Sequence, residues 1–155
     1  MARLADLPEW DQRRHLDRIR TLPDFGPTPY VPGPPLGERR VAIVTTAGIH
    51  ERGARPFEVG SADYRVIPGD TPAGDLVMSH ISVNFDRTGF QEDINVVFPL
   101  ERLRELQKDG AVGAISSFHY SFMGASPMQA FEPKARELAG LMKTDRVDAV
   151  LLVPV

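Results

Sequence analysis

Two long apolar runs constrain the fold of this chain more than any other feature of its sequence. VAIVTTAG (41–48) is continuous, β-branched and ends in small residues, and VDAVLLVPV (147–155) has a similar character. Runs of this kind are typical of strands buried on both faces, as in parallel sheets that are covered by helices. Both runs are therefore expected to be strands of one mainly parallel sheet.

Shorter strands and helices are predicted between these two runs. Strands are expected over 63–69, 75–82 and 111–117, and helices over 98–110 and 126–145. Strands that alternate with helices predict an α/β fold. We expect a three-layer, Rossmann-like or flavodoxin-like sandwich with a mainly parallel sheet of four to five strands.

The two predicted helices carry recognisable end signals. Pro99 suits the first turn of the helix over 98–110, and Gly110 suits the position just after its end. Ser126 can cap the helix over 126–145, while Pro133 makes the start of its regular part uncertain.

The first 38 residues are predicted to form a separate segment ahead of an α/β domain over 39–155. Residues 6–20 read as an amphipathic helix in which Trp10, Leu16 and Ile19 can share a face. Residues 22–36 hold six prolines and two glycines, which excludes a helix or a central strand. This arm is expected to wrap its own domain or a second copy in a homo-oligomer, with a loose linker as the alternative.

Composition narrows the class of ligand. The net charge of −3 argues against nucleic acid as the main partner. The sequence shows no membrane-length apolar run and no signal-peptide core, so a cytoplasmic protein with a small-molecule substrate is expected. With no cysteine, the visible chain offers no disulfide, thiolate metal site or cysteine nucleophile.

Polar residues cluster just after the predicted strands, where ligands bind in open α/β sheets. The first strand is followed by Thr45, Thr46, Gly48 and His50; the third by Ser79, His80, Asn84, Asp86 and, further on, Asp93; the fourth by Ser116, Ser117, His119, Tyr120 and Ser121. If these strands are parallel, the side chains converge on one edge of the sheet. HYSFMGA (119–125) is then expected to form one wall of a pocket.

These residue types allow several kinds of chemistry. Backbone N–H groups over 45–48 could hold a phosphate or carboxylate. A zinc or iron site from His50, His80, His119 and Asp86 is chemically allowed, but no pair has a familiar short ligand spacing, so no metal is expected. Asp86 and Asp93 could form an acid–base pair or simply cap loops.

Several separated blocks resemble the selenoprotein B family of the glycine, sarcosine, betaine and D-proline reductases. The blocks, in order over about residues 39–155, are VAIVTTAGIH, YRVIPGD, SHISVNFDRTGFQEDINVVFPLERLREL, FHYSFMGA and VDAVLLVPV. The resemblance implies reductive chemistry in which a selenolate or thiolate attacks the substrate beside its C–N bond and the amine leaves. A partner subunit with a pyruvoyl group activates amino substrates, and the chalcogen is recycled by thiol–disulfide exchange.

The resemblance also implies a redox segment directly after Val155, made of selenocysteine or cysteine, then proline, then a second cysteine. We expect no cofactor within this chain and the chalcogen just after Val155 in a full-length product, with a UGA codon read as stop as the explanation. A short paralogue is the alternative.

The resemblance also suggests roles for the candidate residues. His80, His119 and Asp86 are the predicted catalytic residues. The predicted substrate-binding residues are Thr45, Thr46, His50, Asn84, Asp93, Tyr120 and Ser121.

Three functions remain open from the sequence. The first is the N-terminal portion of a selenoprotein-B-like reductase that works with other subunits of a reductase complex. The second is a non-catalytic α/β module that binds a small molecule or a partner and forms oligomers. The third, a metal-dependent hydrolase or lyase, depends on the histidines acting as ligands.

Overall fold

The computed structural model describes residues 3–24, 26–27, 31–82 and 86–155. The chain divides into two compact units, residues 1–31 and 32–155. The first unit holds a short 3₁₀ turn, Leu4–Asp6, and helix α1, Glu9–Arg20, in which no residue is buried. Trp10 and Ile19 are separated by about two and a half helical turns. They lie on opposite sides of α1, so the prediction of one shared apolar face is wrong.

The second unit is built on a mainly parallel sheet. Its central strand β1, Arg40–Thr45, runs parallel to three others: β5 (Ala114–Ile115), β6 (Phe118–Ser121) and β7 (Ala149–Val153). Strand β3, Arg65–Pro68, pairs antiparallel with β6. The predicted sheet is confirmed in strand number and in its mainly parallel direction.

A second, two-stranded sheet lies beside the main one. Strand β2, Ile49–Glu51, pairs antiparallel with β4, Leu76–Met78. The strand predicted over 75–82 is thus shorter than expected and outside the parallel sheet. It ends where the backbone N–H of Ser79 donates to the carbonyl of Gly48 and the Ser79 hydroxyl accepts from the N–H of Phe57, which turns the chain away.

The strand predicted over 111–117 is interrupted. Only Ala114–Ile115 is paired before a break at Ser116 and Ser117, where the Ser116 hydroxyl bonds to the carbonyl of Phe118 and to Asp145. The chain then resumes as β6. The prediction that His119, Tyr120 and Ser121 follow a strand is therefore wrong, because they are part of one.

The described residues of this unit form three helices. They are α2, Thr88–Glu92; α3, Leu100–Lys108; and α4, Met128–Thr144. Short 3₁₀ turns occur at Leu36–Glu38, Ala73–Asp75 and Ile94–Val96. Ser126 does not cap α4, because its hydroxyl donates to the carbonyl of Ser61; Pro127 is the cap residue, and Pro133 lies inside the helix.

Helices cover both faces of the main sheet. On one face, Leu100 and Leu103 of α3 join a buried cluster that includes Val41 and Ile43 of β1. On the other face, residues of α4 pack against Ala42 and Tyr120. Because successive residues of a strand face opposite sides, β1 feeds both clusters. The arrangement is the expected three-layer α/β sandwich.

The flank of the sheet formed by β7 is open. Within the described residues β7 pairs only with β1, which leaves its other edge without a strand. Val150 and Leu152 on this strand are 42% and 69% exposed. Within the same residues, no helix is both long enough and apolar enough to cross a bilayer.

Candidate functional site

The carboxyl ends of three parallel strands form one edge of the sheet, which we call the rim. It consists of residues 45–48, 121–124 and 153–155. Backbone hydrogen bonds tie the three segments together: the N–H of Thr46 donates to Val153 (3.1 Å), that of Gly124 to Thr46 (2.9 Å) and that of Gly48 to Phe122 (2.8 Å). This is the edge at which open α/β sheets bind their ligands.

Two predicted binding residues hold the backbone of the rim. The Thr45 hydroxyl accepts from the N–H of Ala47 at 3.2 Å, and the Ser121 hydroxyl accepts from the N–H of Ile49 at 2.9 Å. Both side chains are fully buried. They fix the turn that leads from β1 into β2, and their contact with a substrate stays a prediction.

Thr46 is connected to Val155. Its Oγ1 accepts from the N–H of Val155 at 2.8 Å and lies 3.2 Å from the carbonyl oxygen of the same residue. Gly124 lies beside this contact, since a Cβ added to it would be 2.7 Å from the Val155 carbonyl oxygen. The last described residue of the chain is thus fixed at the rim.

His80 lies next to the rim. Gly48 has a φ of +66°, and a Cβ built there would be 3.2 Å from the backbone N and Cα of His80. The Nδ1 of His80 accepts from the N–H of Ser82 at 3.2 Å, and the Arg87 guanidinium donates to the carbonyl oxygen of His80. Burial, and then the positive charge of Arg87, lower the pKa of His80. The neutral imidazole is therefore favoured at this position.

His50 belongs to the small sheet. It pairs with Val77 in β2, is buried, and has its Nδ1 2.9 Å from the carbonyl oxygen of Glu51. The carboxylate of Glu51 accepts from the Thr71 hydroxyl at 3.1 Å. His50 is close to the rim in sequence, because β2 follows the rim directly after Gly48. The imidazole of His50, however, bonds to the backbone of β2.

His119 lies in the interior of the sheet. Its Nδ1 accepts from the backbone N–H of Ile43 at 3.0 Å, in the gap that the break between β5 and β6 leaves along β1. The ring is fully buried and meets Phe98 edge-on, with 5.6 Å between centroids. Its Nε2 has no hydrogen-bond partner among the described residues.

The electrostatic setting of His119 agrees with this position. Burial lowers its pKa to about 4, with a further lowering from the charge of Arg104 and a smaller opposing effect of Asp145. An imidazole with this pKa is neutral at pH 7, which matches an Nδ1 that accepts a hydrogen bond. The observed role of His119 is to satisfy an interior backbone donor. Its predicted catalytic role is not tested by this geometry.

Tyr120 faces the opposite side of the sheet from His119. It is 2% exposed, and Tyr64 packs edge-on against it with 6.0 Å between centroids. It also lines a groove of ≈ 340 Å³ together with Val66, Phe118 and Leu141. HYSFMGA is therefore a strand and its extension, whose side chains alternate between two faces, and it does not form a single wall.

The two aspartates bond to nearby backbone. Asp86 accepts from the N–H of Thr88 and Asp93 from the N–H of Asn95, both at 2.9 Å. These bonds are the main reason that the pKa of each carboxyl is lowered. Both carboxylates thus begin local turns, as the capping alternative predicted, and a role in catalysis stays a prediction. Asn84 lies outside the described residues.

The predicted metal ligands do not form a group of three or more among the described residues. In the described ranges, no group of three or more histidine, cysteine, aspartate or glutamate side chains is placed to hold a metal ion. Sequence reasoning missed the contact of Arg87 with His80 and the contact of Thr46 with Val155. No sequence signal indicates the contact of Arg87 with His80. The contact of Thr46 with Val155 follows once β1 and β7 are recognised as parallel neighbours.

Comparisons with known proteins place these features in a family. The family model described as glycine/sarcosine/betaine reductase selenoprotein B matches residues 28–155. The chain is 37% identical to D-proline reductase subunit gamma of Acetoanaerobium sticklandii, over 76% of this chain and 49% of that protein. It is 30% identical to glycine reductase complex component B subunit gamma of Symbiobacterium thermophilum, over 84% and 32% of the two chains.

Another relative has a third substrate in its name. The chain is 30% identical to betaine reductase complex component B subunit beta of Peptoclostridium acidaminophilum, over 76% of this chain and 28% of that one. The chain thus spans about half of the length of the first of these relatives and less of the others. No solved structure gives a significant match.

Proposed function

We propose a reductase role for this chain, which belongs to the glycine/sarcosine/betaine reductase selenoprotein B family. In this proposal it is the N-terminal portion of a reductase-complex component that cleaves a C–N or similar bond reductively. The selenolate or thiolate that attacks the substrate follows Val155 in the full-length product.

The observation that carries the proposal is the position of Val155. Its N–H and carbonyl are both held by the Thr46 hydroxyl at the rim, at 2.8 and 3.2 Å. The residue that follows it would therefore emerge at the carboxyl ends of β1 and β6, where a bound substrate is expected. A chalcogen in this position acts as the nucleophile, and the protein around it binds and orients the substrate.

The residues around the rim suit this role. Gly48 and Gly124 let backbone segments approach closely, and His80 lies beside Gly48 with a lowered pKa. A neutral imidazole can accept a proton from a substrate amine or donate a hydrogen bond to a carboxylate. We assign His80 the role of binding and polarising the substrate. We keep Asp86, on the neighbouring loop, as a second candidate.

The names of the relatives suggest the substrate class and the setting. They act on D-proline, glycine or betaine and are subunits of reductase complexes. We therefore propose a small amino acid or N-methylated derivative as the substrate, further complex subunits as partners, and the cytoplasm as the location. The open edge of β7, with apolar side chains, supports assembly with another polypeptide.

The alternative is a non-catalytic α/β module that binds a partner and forms oligomers. The same exposed residues of β7 favour it, since an unpaired apolar edge can pair with a second copy. The two functions differ in their need for a chalcogen after Val155, because the module requires none.

Purification of the tagged protein from its host tests the proposal. In the presence of a dithiol, the co-purifying complex should reduce D-proline, glycine, sarcosine or betaine. Cleavage of the C–N bond releases an amine from the last three, whereas it opens the ring of D-proline and keeps the nitrogen in the product. His80→Ala should lower this activity by about a hundredfold, as expected when a proton-transferring side chain is lost. His15→Ala, on the exposed helix α1, is the matched control. A complex that reduces none of these substrates would overturn the reductase role.

A further inference from the structure

A groove of ≈ 460 Å³ lies at the break between β5 and β6, away from the rim. We call it the Gly69 groove. Gly69 and Asp70 line it directly after β3, Arg104 lines it from α3, and Phe118 lines it at the start of β6. Ser121 ends β6 at the rim, so about 10 Å of strand separates the groove from the rim.

Two hydrogen-bond donors meet beside Gly69. The Arg104 guanidinium donates to the Gly69 carbonyl and has further N–H groups that this bond does not use. The buried, neutral ring of His119 accepts from the N–H of Ile43 at Nδ1, so its proton is on Nε2. This Nε2 has no partner among the described residues and lies 3.6 Å from a Cβ built on Gly69. A buried donor without an acceptor is costly, so an acceptor is expected at this point.

Acceptors surround the same point. A Cβ built on Gly69 would lie 3.1 Å from the carbonyl oxygen of Ser116 and 3.3 Å from that of Ser117. The side chain of Asp70 is exposed, and among the described residues its carboxylate forms no hydrogen bond or ion pair. The Arg104 guanidinium bonds to a carbonyl and not to this carboxylate. The groove is thus lined by one positive and one negative side chain that do not pair with each other.

We infer that the Gly69 groove binds the head group of a small α-amino acid. Such a molecule carries its carboxylate and its ammonium group on one carbon, so it can satisfy donors and acceptors that meet at one point. The carboxylate accepts from Arg104 and His119. The ammonium group donates to Asp70 and to the two carbonyls of the break. The ring of Phe118, which is 44% exposed, is an apolar wall for the rest of the ligand.

A ligand with only one of the two charges fits the groove less well. A simple carboxylate would meet the like charge of Asp70, and a simple amine would meet the like charge of Arg104. The site goes beyond the proposed function, because it lies apart from the rim and takes no part in the cleavage. It contacts the central strand through His119, whose Nδ1 holds the N–H of Ile43.

Titration of the isotope-labelled chain with glycine, followed by NMR, tests the inference. Glycine should shift the backbone N–H resonances of Gly69, Asp70 and Ser117 in a saturable way. Acetate and methylamine should each bind about tenfold more weakly or worse, since each lacks one set of charged hydrogen bonds. Betaine should bind as weakly as acetate, because its quaternary nitrogen has no N–H to donate.

Three variants and one control locate the site. Asp70→Asn should fold normally, because the carboxylate holds nothing among the described residues, and it should weaken glycine binding by about tenfold or more. Arg104→Gln should weaken binding similarly, and Gly69→Ala should abolish it by placing a methyl group in the same space. Arg102→Gln is the matched control, since Arg102 is exposed and its ion pairs stay within α3. It should bind glycine as the wild type does.

Several results would overturn the inference. Saturable shifts confined to residues 45–48 and 121–124 would place the amino acid at the rim. Equal binding of glycine and acetate would make the groove a site for simple carboxylates. No saturable shift, or unchanged glycine binding by Asp70→Asn, would remove the site altogether. The proposed function is tested on the native complex, so its failure leaves these titrations unaffected.

Discussion

Strands β6 and β7 are both parallel neighbours of β1, yet their surroundings differ. β6 has a strand on each side, and His119, Tyr120 and Ser121 are at most 2% exposed. β7 pairs only with β1 among the described residues and leaves Leu152 69% exposed. The two strands therefore have different roles in the structure. β6 lies in the interior of the domain, and β7 leads to Val155 at the rim while its outer edge has no strand partner among the described residues.

The largest effect should come from truncation of a β6 side chain. Tyr120→Ala removes a buried ring that packs against Tyr64 and α4, and should cost about 3–5 kcal/mol in the free energy of unfolding. Leu152→Ala on β7 should cost less than about 1 kcal/mol, because the side chain is mostly exposed already. Urea unfolding measures both, and equal losses would remove the distinction between the strands.

A pH dependence should come from His119 in β6. Its pKa is lowered to about 4 in the folded chain, so the unfolded chain binds more protons between pH 4 and its ordinary value near 6.5. The stability contributed by the buried neutral ring of His119 is fully present above about pH 6.5. It is lost as the pH falls towards 4. Over that window the wild type should lose about 3 kcal/mol relative to His119→Gln. Parallel stability curves for the two proteins would show that His119 is not buried as a neutral ring.

A smaller effect is expected at Asp93, which begins the turn that leads to Val97 and Phe98 beneath β6. Asp93→Ala should lower the free energy of unfolding slightly, because the bond to the N–H of Asn95 is lost. Asp93→Asn keeps an acceptor oxygen and should retain both stability and reductase activity. Loss of activity in Asp93→Asn at unchanged stability would instead support the predicted acid–base role.

The smallest effect on stability is expected for a charge on β7. Leu152→Lys should change the free energy of unfolding by less than about 0.5 kcal/mol, since the site faces solvent. It should weaken assembly, because an edge lysine opposes pairing of a further strand. Sedimentation velocity of the purified complex measures this. Unchanged assembly would place the partner surface elsewhere.

The sequence predicted the fold better than the site. Continuous apolar runs identified β1 and β7 as strands, and helix-end signals identified α3, because such patterns depend on local chemistry. The expected burial of β7 on both faces was wrong, since Val150 and Leu152 are 42% and 69% exposed. The break at Ser116 and Ser117 was not predictable, since it depends on the Ser116 hydroxyl and the Ser117 N–H, which both donate to the carboxylate of Asp145 directly after α4. His119 was consequently placed beyond its strand.

The contacts at the rim were also not predictable from the sequence. His80 lies next to the rim through its contact with Gly48, although its strand belongs to the small antiparallel sheet and not to the parallel one. At Gly124, the backbone that approaches closely is that of Val155. Contacts between residues far apart in sequence fix these details, and a pattern within one segment does not report them.

The intact mass and selenium content of the native protein, purified from its host, test the central claim most directly. We expect a product longer than 155 residues, with selenocysteine or cysteine immediately after Val155 in peptide sequencing. Alkylation of that residue in the folded native protein, detected as an added mass on its peptide, would show that it is exposed and reactive. A native product that ends at Val155, in a complex that contains no selenol or thiol at the rim, would contradict the account.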